Sequence, residues 1–335
     1  MSKYTIRKYY VDQPGDTPWT RLRNRCTRRP IPPFPRTMQI QTMTGCNADC
    51  VFCPYGETHP TQPKGMIDDA LFRRLIDEAA RHRVRRITPN LMNEPLLDPT
   101  LLDKVRYINR RLPATRVVIT TNGHFLTPDV VHAVLDVGAG IYELYVSVQG
   151  IDPQAYRRTM RGSMDFDRTL ANVDYFLAEQ ARRGPGRPRL WITMVDTTLI
   201  DARAAVSYWR SRGVDSKFTM LENRGGNIEG AERWSRNRAM SFYDNCPRLF
   251  KQAYILFNGD MVLCCVDYSR KQVLGNVARS SIAEVWNGPI ATEIRRRYVA
   301  GEVDRLPLCG SCRVDRMREV SVPATGRVTT SAPAE

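Results

Sequence analysis

From residue 38 to about residue 221, short apolar segments alternate with longer amphipathic ones. The apolar segments are rich in β-branched and aromatic residues, which predicts strands, and the amphipathic segments have helical spacing. The predicted strands are 38–43, 86–92, 116–121, 142–148, 189–195 and 216–221. The predicted helices lie near 68–83, 99–112, 127–138, 165–183 and 202–212, with Asp68, Asp98 and Thr127 as N-caps.

Six consecutive β–α units predict an α/β fold with a parallel sheet, because parallel strands need right-handed crossover connections. Such a sheet is either doubly wound or curled into a partial (β/α)6 TIM-type barrel. In both arrangements ligands gather at the carboxyl ends of the strands. Residues 38–234 are therefore predicted to form the core domain of the chain.

The segments outside this core have other patterns. Residues 1–37 are polar and rich in proline, which predicts an extended arm. Residues 235–318 combine short strand-like pieces with five further cysteines, which predicts a second, smaller domain. Residues 319–335 have few apolar positions and are predicted to be a disordered tail.

The composition of the chain indicates the cellular compartment of the protein and the role of its cysteines. The 335 residues are 42% hydrophobic and 25% charged, which is typical of a globular chain. We find neither an apolar stretch of the ~20 residues that a membrane span needs nor the apolar run of a signal peptide. We therefore expect a cytoplasmic protein without a membrane partner. Cytoplasmic thiols stay reduced, so the nine cysteines favour metal binding over disulfides.

The net charge of +15 is compatible with an acidic partner, such as nucleic acid, a phosphate or a carboxylated metabolite. The basic residues are mostly arginine and are spread along the whole chain, which a general arginine bias also explains. We find no RNA-binding module and no interleaving of aromatic with basic residues. The expected partner is therefore a small-molecule substrate rather than nucleic acid, and the positive charge is compatible with an anionic one.

The stretch TGCNADCVFCPYG (44–56) follows the first predicted strand and contains Cys46, Cys50 and Cys53. Three thiolates can hold three corners of a tetrahedral metal centre. One interpretation is zinc with His59 as its fourth ligand. The other, which the loop composition favours, is an iron–sulfur cluster whose fourth iron takes an exogenous ligand.

The motif C-x3-C-x2-C after the first strand of a β–α repeat resembles the radical S-adenosylmethionine (SAM) superfamily. MNEPLL (92–97) resembles the GGEP motif of that family, with Met92 and Asn93 in place of the glycines. TTNG (120–123) and SVQG (147–150) resemble the motifs that end its third and fourth strands. The resemblance implies the partial barrel rather than the doubly wound sheet.

The resemblance also implies the first cofactor site. Three irons of a [4Fe–4S] cluster would be held by Cys46, Cys50 and Cys53, and SAM would bind the fourth. Glu94 would accept hydrogen bonds from the methionine ammonium group of SAM. The other implied SAM contacts are Phe52 at the adenine, together with Asn93, Asn122 and Ser147. An electron from an external donor such as flavodoxin or ferredoxin would then generate a 5′-deoxyadenosyl radical.

The second cysteine set consists of Cys246, Cys264, Cys265, Cys309 and Cys312. C-x2-C pairs occur in zinc ribbons and in iron–sulfur sites alike. The run from FNGDMVLC to the EVWN helix resembles the C-terminal extension of SPASM and "twitch" radical SAM proteins. The resemblance implies one auxiliary [4Fe–4S] cluster on Cys246, Cys264, Cys309 and Cys312, with Cys265 as a spare thiol that could compete for the cluster.

A fully ligated auxiliary cluster favours electron transfer, and thus net oxidation of the substrate. The cysteine spacing resembles that of aminocyclitol dehydrogenases such as the 2-deoxy-scyllo-inosamine type. The expected substrate is then a small sugar-, aminocyclitol- or nucleoside-type alcohol of specialised, antibiotic metabolism. The predicted catalytic residues are Arg161, Glu222 and Asn223, with Asp196 and Arg224 beside them.

Three alternatives stay open. The same machinery decarboxylates sugar acids such as cytosylglucuronate, which suits a basic protein. A peptide-modifying SPASM enzyme is the second, although residues 1–37 are too short for the usual peptide-recognition domain. The third is a non-enzyme, a zinc-stabilised nucleic-acid-binding protein.

Overall fold

The computed structural model describes residues 9–11, 15, 17–27, 29–184, 186–237, 240–242 and 246–315. The tail predicted at 319–335 lies outside these residues. None of the described helices is both long and apolar enough to cross a membrane.

The sequence predicted an extended arm at residues 1–37, but the described part of this segment contains a helix. Two short parallel strands, β1 (Tyr9–Tyr10) and β2 (Arg29–Pro30), flank helix α1 (Pro18–Thr27). The helix begins where Thr17 accepts a hydrogen bond from the Thr20 amide (3.1 Å) and Pro18 occupies the first helical position. Threonine followed by proline is a helix-start signal that the prediction overlooked.

Six parallel strands follow one another across the sheet in chain order, as predicted. A doubly wound sheet reverses its strand order, so the sequential order corresponds to the partial barrel. The strands are β3 (Thr37–Ile40), β4 (Arg86–Thr88), β5 (Arg116–Thr121), β6 (Glu143–Ser147), β7 (Arg189–Val195) and β8 (Asp215–Thr219).

Helices connect these strands. The one-turn helix α2 (Tyr55–Thr58) and α6 (Pro153–Met160) were not predicted. The predicted ones are present with slightly different ends: α3 (Asp69–Ala80), α4 (Leu101–Arg111), α5 (Pro128–Val137), α7 (Phe166–Arg183) and α8 (Ala202–Ser211).

The predicted helix caps have mixed outcomes. The Asp68 carboxylate caps α3 by accepting from the Leu71 amide (2.9 Å), as predicted. Thr127 occupies the N-cap position of α5, but its side chain makes no capping hydrogen bond. The prediction of Asp98 as an N-cap is wrong, because Thr100 occupies the N-cap position of α4.

Asp98 instead forms a buried local network. Its carboxylate accepts from the backbone amide (2.8 Å) and hydroxyl (2.7 Å) of Thr100 and pairs with Lys104 (3.1 Å). Burial opposes ionisation of this carboxyl group, but these hydrogen bonds and the lysine charge outweigh it and lower the pKa of Asp98. An aspartate side chain commonly accepts a hydrogen bond from the backbone amide two residues further on, and this local turn competes with capping of a helix.

The two faces of the sheet differ in polarity. Alternate residues such as Leu144 and Ile192 pack with the helices in the main apolar core. The opposite face, which lines the barrel interior, carries a hydrogen-bonded polar group. The Tyr145 hydroxyl donates to Glu143 (2.6 Å), and Lys217 donates to Tyr145 (3.1 Å). The interior of the partial barrel is therefore polar at these positions.

The C-terminal segment extends the same sheet. β9 (Gln252–Ile255) pairs in parallel with β3, and β10 (Asp260–Val262) and β11 (Val273–Asn276) follow as antiparallel strands. The pairing of β9 with β3 brings the C-terminal segment, which carries the second cysteine set, beside the strand that leads into the first cysteine loop. The remaining helices are α9 (Arg248–Lys251), α10 (Ile282–Trp286) and α11 (Pro289–Val299).

Candidate active site and auxiliary cysteine site

The first cysteine loop (44–56) is fastened to the segment that follows α6. Among the contacts is the Arg161 guanidinium, which donates from Nε to the Asp49 carbonyl (3.2 Å). Backbone hydrogen bonds complete the attachment: Asp49 N to Arg161 O (3.1 Å), Val51 N to Thr159 O (3.0 Å) and Ser163 N to Asn47 O (2.9 Å). The position of the cysteines therefore depends on residues 159–163 as well as on β3.

Gly162 is required by this close approach. Its φ is +79°, and a Cβ atom there would lie 2.7 Å from the Asn47 carbonyl oxygen and 2.9 Å from the Asp49 nitrogen. Both contacts are with backbone atoms of the first cysteine loop, which cannot move aside without moving the cysteines.

We expect Gly162→Ala to lower the iron content of the first site by more than half and the unfolding free energy by about 1–3 kcal/mol. Iron analysis after anaerobic reconstitution and urea unfolding measure the two effects. Gly213→Ala is the matched control, because Gly213 has φ +78° but nothing within 4 Å of its added Cβ. Equal iron contents in the two variants would contradict the positioning role of Gly162.

The three thiols of the loop are half-buried and influence one another. Burial raises the pKa of the Cys46 thiol to about 12. Burial also raises the pKa of Cys50, and the negative charges of the Cys53 and Cys46 thiolates raise it further. Thiolates gathered in a buried site need a compensating cation, and the irons of a cluster supply positive charge.

The chemistry of this donor set therefore fits a cluster. Across the described residues, no three His, Cys, Asp or Glu side chains converge closely enough to hold a single metal ion. The His59 ring, the alternative zinc ligand, stacks on Tyr55 at 4.4 Å between ring centroids.

Glu94 joins the ends of β4 and β5 and is only 2% exposed. Its Oε1 accepts from the Thr121 hydroxyl (2.6 Å) and the Leu96 amide (3.0 Å), and its Oε2 accepts from the Asn122 amide (2.7 Å). Burial nevertheless raises the pKa of Glu94 to about 7. A cation beside this carboxylate would favour its ionised form.

The residues around Glu94 also connect to the first cysteine loop. The Glu94 amide donates to the Gly45 carbonyl (2.8 Å), and the Asn122 side chain donates to Asn47 (2.7 Å). Beside them, the buried Asn93 amide nitrogen Nδ2 has no hydrogen-bond partner in the described part of the chain. Buried donors without partners are rare, and a polar ligand such as SAM would satisfy this one.

Met92 replaces the first glycine of the motif that the sequence resembles, and its φ is +54°. A side chain at positive φ is unfavourable, by roughly 1–3 kcal/mol. The Met92 side chain packs against the small apolar cluster of Leu91, Tyr254, Leu256 and Val262. This contact, which glycine could not make, joins the loop after β4 to the C-terminal strands.

Ser147 and Phe52 both contact neighbouring side chains. The Ser147 hydroxyl accepts from the Gln149 side chain (3.0 Å), which also accepts from the Val195 amide (2.8 Å). Phe52 is 3% exposed and packs edge-to-face on Trp234, at 5.2 Å. Their contacts with SAM stay predictions.

The predicted catalytic residues are engaged within the protein. Arg161 holds the first cysteine loop, as described above. The Asn223 side chain donates to the Ser311 carbonyl (2.8 Å) and accepts from the Arg313 amide (2.8 Å), so it braces the loop of Cys309 and Cys312. Contact of either residue with a substrate stays a prediction.

Glu222 and Asp196 both pair with arginines. Glu222 is 6% exposed and forms ion pairs with Arg248 (2.5 Å) and Arg224 (3.4 Å). Asp196 pairs with Arg236 (2.6 Å). A carboxylate already paired with two cations is a weak base, so general-base chemistry at Glu222 would require the ion pairs to open.

The second cysteine set is brought together. Burial raises the pKa values of Cys309 and Cys312 to about 12, and both thiols are also influenced by Cys246. Interaction with the neighbouring Cys264 thiol lowers the pKa of Cys265 against the effect of burial. Cys246 influences the thiols of Cys264, Cys309 and Cys312, which indicates that they lie in one region, and their binding of one cluster stays a prediction.

The segments of the two cysteine sets meet at Tyr268, to which the sequence analysis gave no role, and at Arg224. The Cys53 thiol lies 3.4 Å from the Tyr268 hydroxyl, within hydrogen-bonding distance for sulfur. Arg224 Nε donates to the Phe52 carbonyl (3.3 Å). Tyr268 belongs to the run CCVDY, so its closeness to Cys264 in the sequence was the available signal.

Comparison with known families agrees with this arrangement. Residues 40–187 match the radical SAM superfamily, and residues 246–313 match SPASM, an iron–sulfur cluster-binding domain. The chain belongs to the radical SAM superfamily and carries a SPASM-type C-terminal domain. It is therefore an enzyme that uses a [4Fe–4S] cluster with SAM and auxiliary iron–sulfur chemistry.

Two curated relatives are similar in sequence. The S-adenosyl-L-methionine-dependent 2-deoxy-scyllo-inosamine dehydrogenase of Niallia circulans is 22% identical over 276 residues, covering 82% of this chain and 91% of the relative. The AdoMet-dependent heme synthase of Methanosarcina barkeri is 32% identical over 142 residues, covering 42% of this chain and 38% of the relative.

Solved structures share the fold. BtrN in complex with AdoMet and 2-DOIA has a TM-score of 0.58 at 21% identity, covering 83% of this chain and 92% of that one. Streptococcus suis SuiB bound to the precursor peptide SuiA has a TM-score of 0.63 at 14% identity, covering 86% and 74%. Both likenesses concern the fold alone.

Proposed function

We propose that this enzyme oxidises an alcohol carbon of a small sugar-, aminocyclitol- or nucleoside-type substrate in specialised metabolism. The observation that carries the proposal is the contact of Cys53 in the first cysteine loop with Tyr268, four residues after Cys264 in the segment of the second cysteine set. An electron acceptor next to the site where the substrate radical forms suits an oxidation. The dehydrogenase name of the Niallia circulans relative supports the same reaction.

The polar barrel interior supports a hydrophilic substrate. Glu143, Tyr145 and Lys217 present an anion, a hydroxyl and a cation on one face. Polyhydroxylated and aminated rings offer matching hydrogen-bond donors and acceptors.

In the proposed reaction the loop thiolates of Cys46, Cys50 and Cys53 hold the first cluster, and Glu94 binds the SAM ammonium group. When bound, the cluster and SAM would supply a 5′-deoxyadenosyl radical to remove the carbinol hydrogen, and an auxiliary cluster would supply an acceptor for the remaining electron. The hydroxyl proton leaves to a base, so that a ketone forms. The first electron comes from a flavodoxin- or ferredoxin-type donor.

The auxiliary ligands in this proposal are Cys246, Cys264, Cys309 and Cys312. Cys264 keeps the G-x4-C spacing from Gly259, which favours it over Cys265 as the ligand. The chain itself orients the reactants and excludes water, which is the usual contribution of a protein to cofactor chemistry.

The test uses candidate alcohols deuterated at the carbinol carbon. We expect deuterium in 5′-deoxyadenosine, detected by mass spectrometry, together with one ketone per SAM cleaved. Cys309→Ala is the matched variant, because it should still form 5′-deoxyadenosine but much less ketone. Carbon dioxide release from a sugar acid would indicate the decarboxylase instead, and deuterium transfer from a peptide would indicate a peptide-modifying enzyme; either result would overturn the proposal.

A further inference from the structure

A group of three charges, with a buried carboxylate between two partly exposed arginines, links the segments of the two cysteine sets. This triad consists of Arg224, Glu222 and Arg248. The Glu222 carboxylate lies 2.5 Å from Arg248 and 3.4 Å from Arg224, and its side chain is 5% exposed. Two cations and one anion leave the triad with a net charge of +1.

The triad contacts both sites. At one end, Arg224 donates to the Phe52 carbonyl within the first cysteine loop (3.3 Å). At the other end, Arg248 lies two positions after Cys246 in the chain, and the amide of Asn223, next to Glu222, donates to the carbonyl of Arg313, next to Cys312 (3.0 Å). The triad therefore lies at the chain segments that carry Cys246 and Cys312.

Stability alone does not account for such an arrangement. Burying ions removes their hydration, and replacing a buried ion triad by apolar side chains is often neutral or stabilising. A cation next to a cluster, however, favours the form of the cluster that carries one more electron. Nearby charge is one of the factors that set the potentials of iron–sulfur clusters.

We propose that the Arg224–Glu222–Arg248 triad raises the reduction potential of the auxiliary cluster, so that this cluster accepts the electron released by the substrate radical. The inference rests on the proposed function, since it assumes that the second cysteine set holds the auxiliary cluster. Arg248 supplies the charge nearest the thiols, Glu222 fixes and moderates it, and Arg224 ties the triad to the first loop. All three are positioning residues.

The experiment isolates the auxiliary cluster within the full chain. In a parent variant with Cys46, Cys50 and Cys53 replaced by alanine, only the auxiliary cluster should titrate. A redox titration followed by electron paramagnetic resonance then gives its midpoint potential. We expect Arg248→Gln to lower the midpoint potential of the auxiliary cluster by about 59 mV. At a fixed solution potential this shift changes the ratio of reduced to oxidised cluster about tenfold in favour of the oxidised form.

Three further variants separate charge from structure. Arg248→Lys keeps the charge and should stay close to the parent. Glu222→Gln removes a negative charge and should shift the potential upward. The double variant Glu222→Gln with Arg248→Gln restores the net charge and should return towards the parent potential. Arg73→Gln, at a half-exposed arginine paired with Asp69, controls for charge lost far from the site.

If the midpoint potential of the auxiliary cluster in Arg248→Gln and in Glu222→Gln equalled that of the parent variant, this inference would be overturned while the proposed function would stand. A double variant displaced as far as Arg248→Gln alone would also overturn it, because structural damage would then explain the shift. A parent variant without any [4Fe–4S] signal would overturn the ligand set, and with it both proposals.

Discussion

Replacing Cys46, Cys50 and Cys53 together by alanine is expected to reduce SAM cleavage to background while the auxiliary cluster remains bound. The three thiols hold the first cluster from a single loop, and no electron can reach SAM without it. Iron should fall from about eight to about four atoms per chain, as one of two [4Fe–4S] clusters is lost. Iron and sulfide analysis and 5′-deoxyadenosine formation measure both effects.

The matched variant replaces Cys309 and Cys312 by alanine. It should lose a similar amount of iron but still cleave SAM, because its first site is intact. A triple variant that still formed 5′-deoxyadenosine would refute the assignment of the first loop. Colourless protein with about two zinc atoms per chain would instead support the zinc-stabilised, non-enzymatic alternative.

Local sequence pattern was sufficient for the repeating part of the fold. The alternation of apolar segments with amphipathic ones predicted β3 to β8 because one face of each strand packs on helices. Short elements were missed where the signal was confined to a few residues, as at Thr17–Pro18 and at Asp152–Pro153 before α6. Asp98 was misassigned because a carboxylate can stabilise a turn as well as a helix end.

The junction between the two cysteine sites could not be predicted in the same way. Cys53 and Tyr268 are 215 positions apart, and they meet because β9 pairs with β3. Pairing between distant strands leaves no periodic signal in either segment. The sequence analysis predicted Glu222 as catalytic and gave Arg248 no role, and only the structure shows that the two side chains form an ion pair.

Motif resemblance found Glu94 but not its surroundings. The sequence predicted a carboxylate that accepts from the SAM ammonium group. The structure adds that the same carboxylate already accepts three hydrogen bonds, from Leu96, Thr121 and Asn122. Glu94 therefore connects two strand ends in addition to its predicted contact with SAM, so its substitution should affect both binding and stability.

We expect SAM affinity to increase about tenfold as the pH rises from 6 to above 7, because the ammonium group of SAM requires ionised Glu94 and burial raises the pKa of Glu94 to about 7. The stability of the protein without SAM should change in the opposite direction. The raised pKa means that the neutral carboxyl favours the folded chain. This contribution is complete below the ordinary value of 4.5 and is lost as the pH rises through about 7.

Glu94→Gln should weaken SAM binding by about 10- to 100-fold and remove both pH dependences, since it abolishes the charge and turns one acceptor into a donor. Isothermal titration calorimetry between pH 6 and 7.5, with urea unfolding over a wider range, measures the two effects. Glu284→Gln, at the exposed cap of α10, controls for the loss of a carboxylate elsewhere. A Glu94→Gln variant that kept the parent pH profile of SAM binding would show that another group binds the ammonium, because glutamine has no charge to lose in this range.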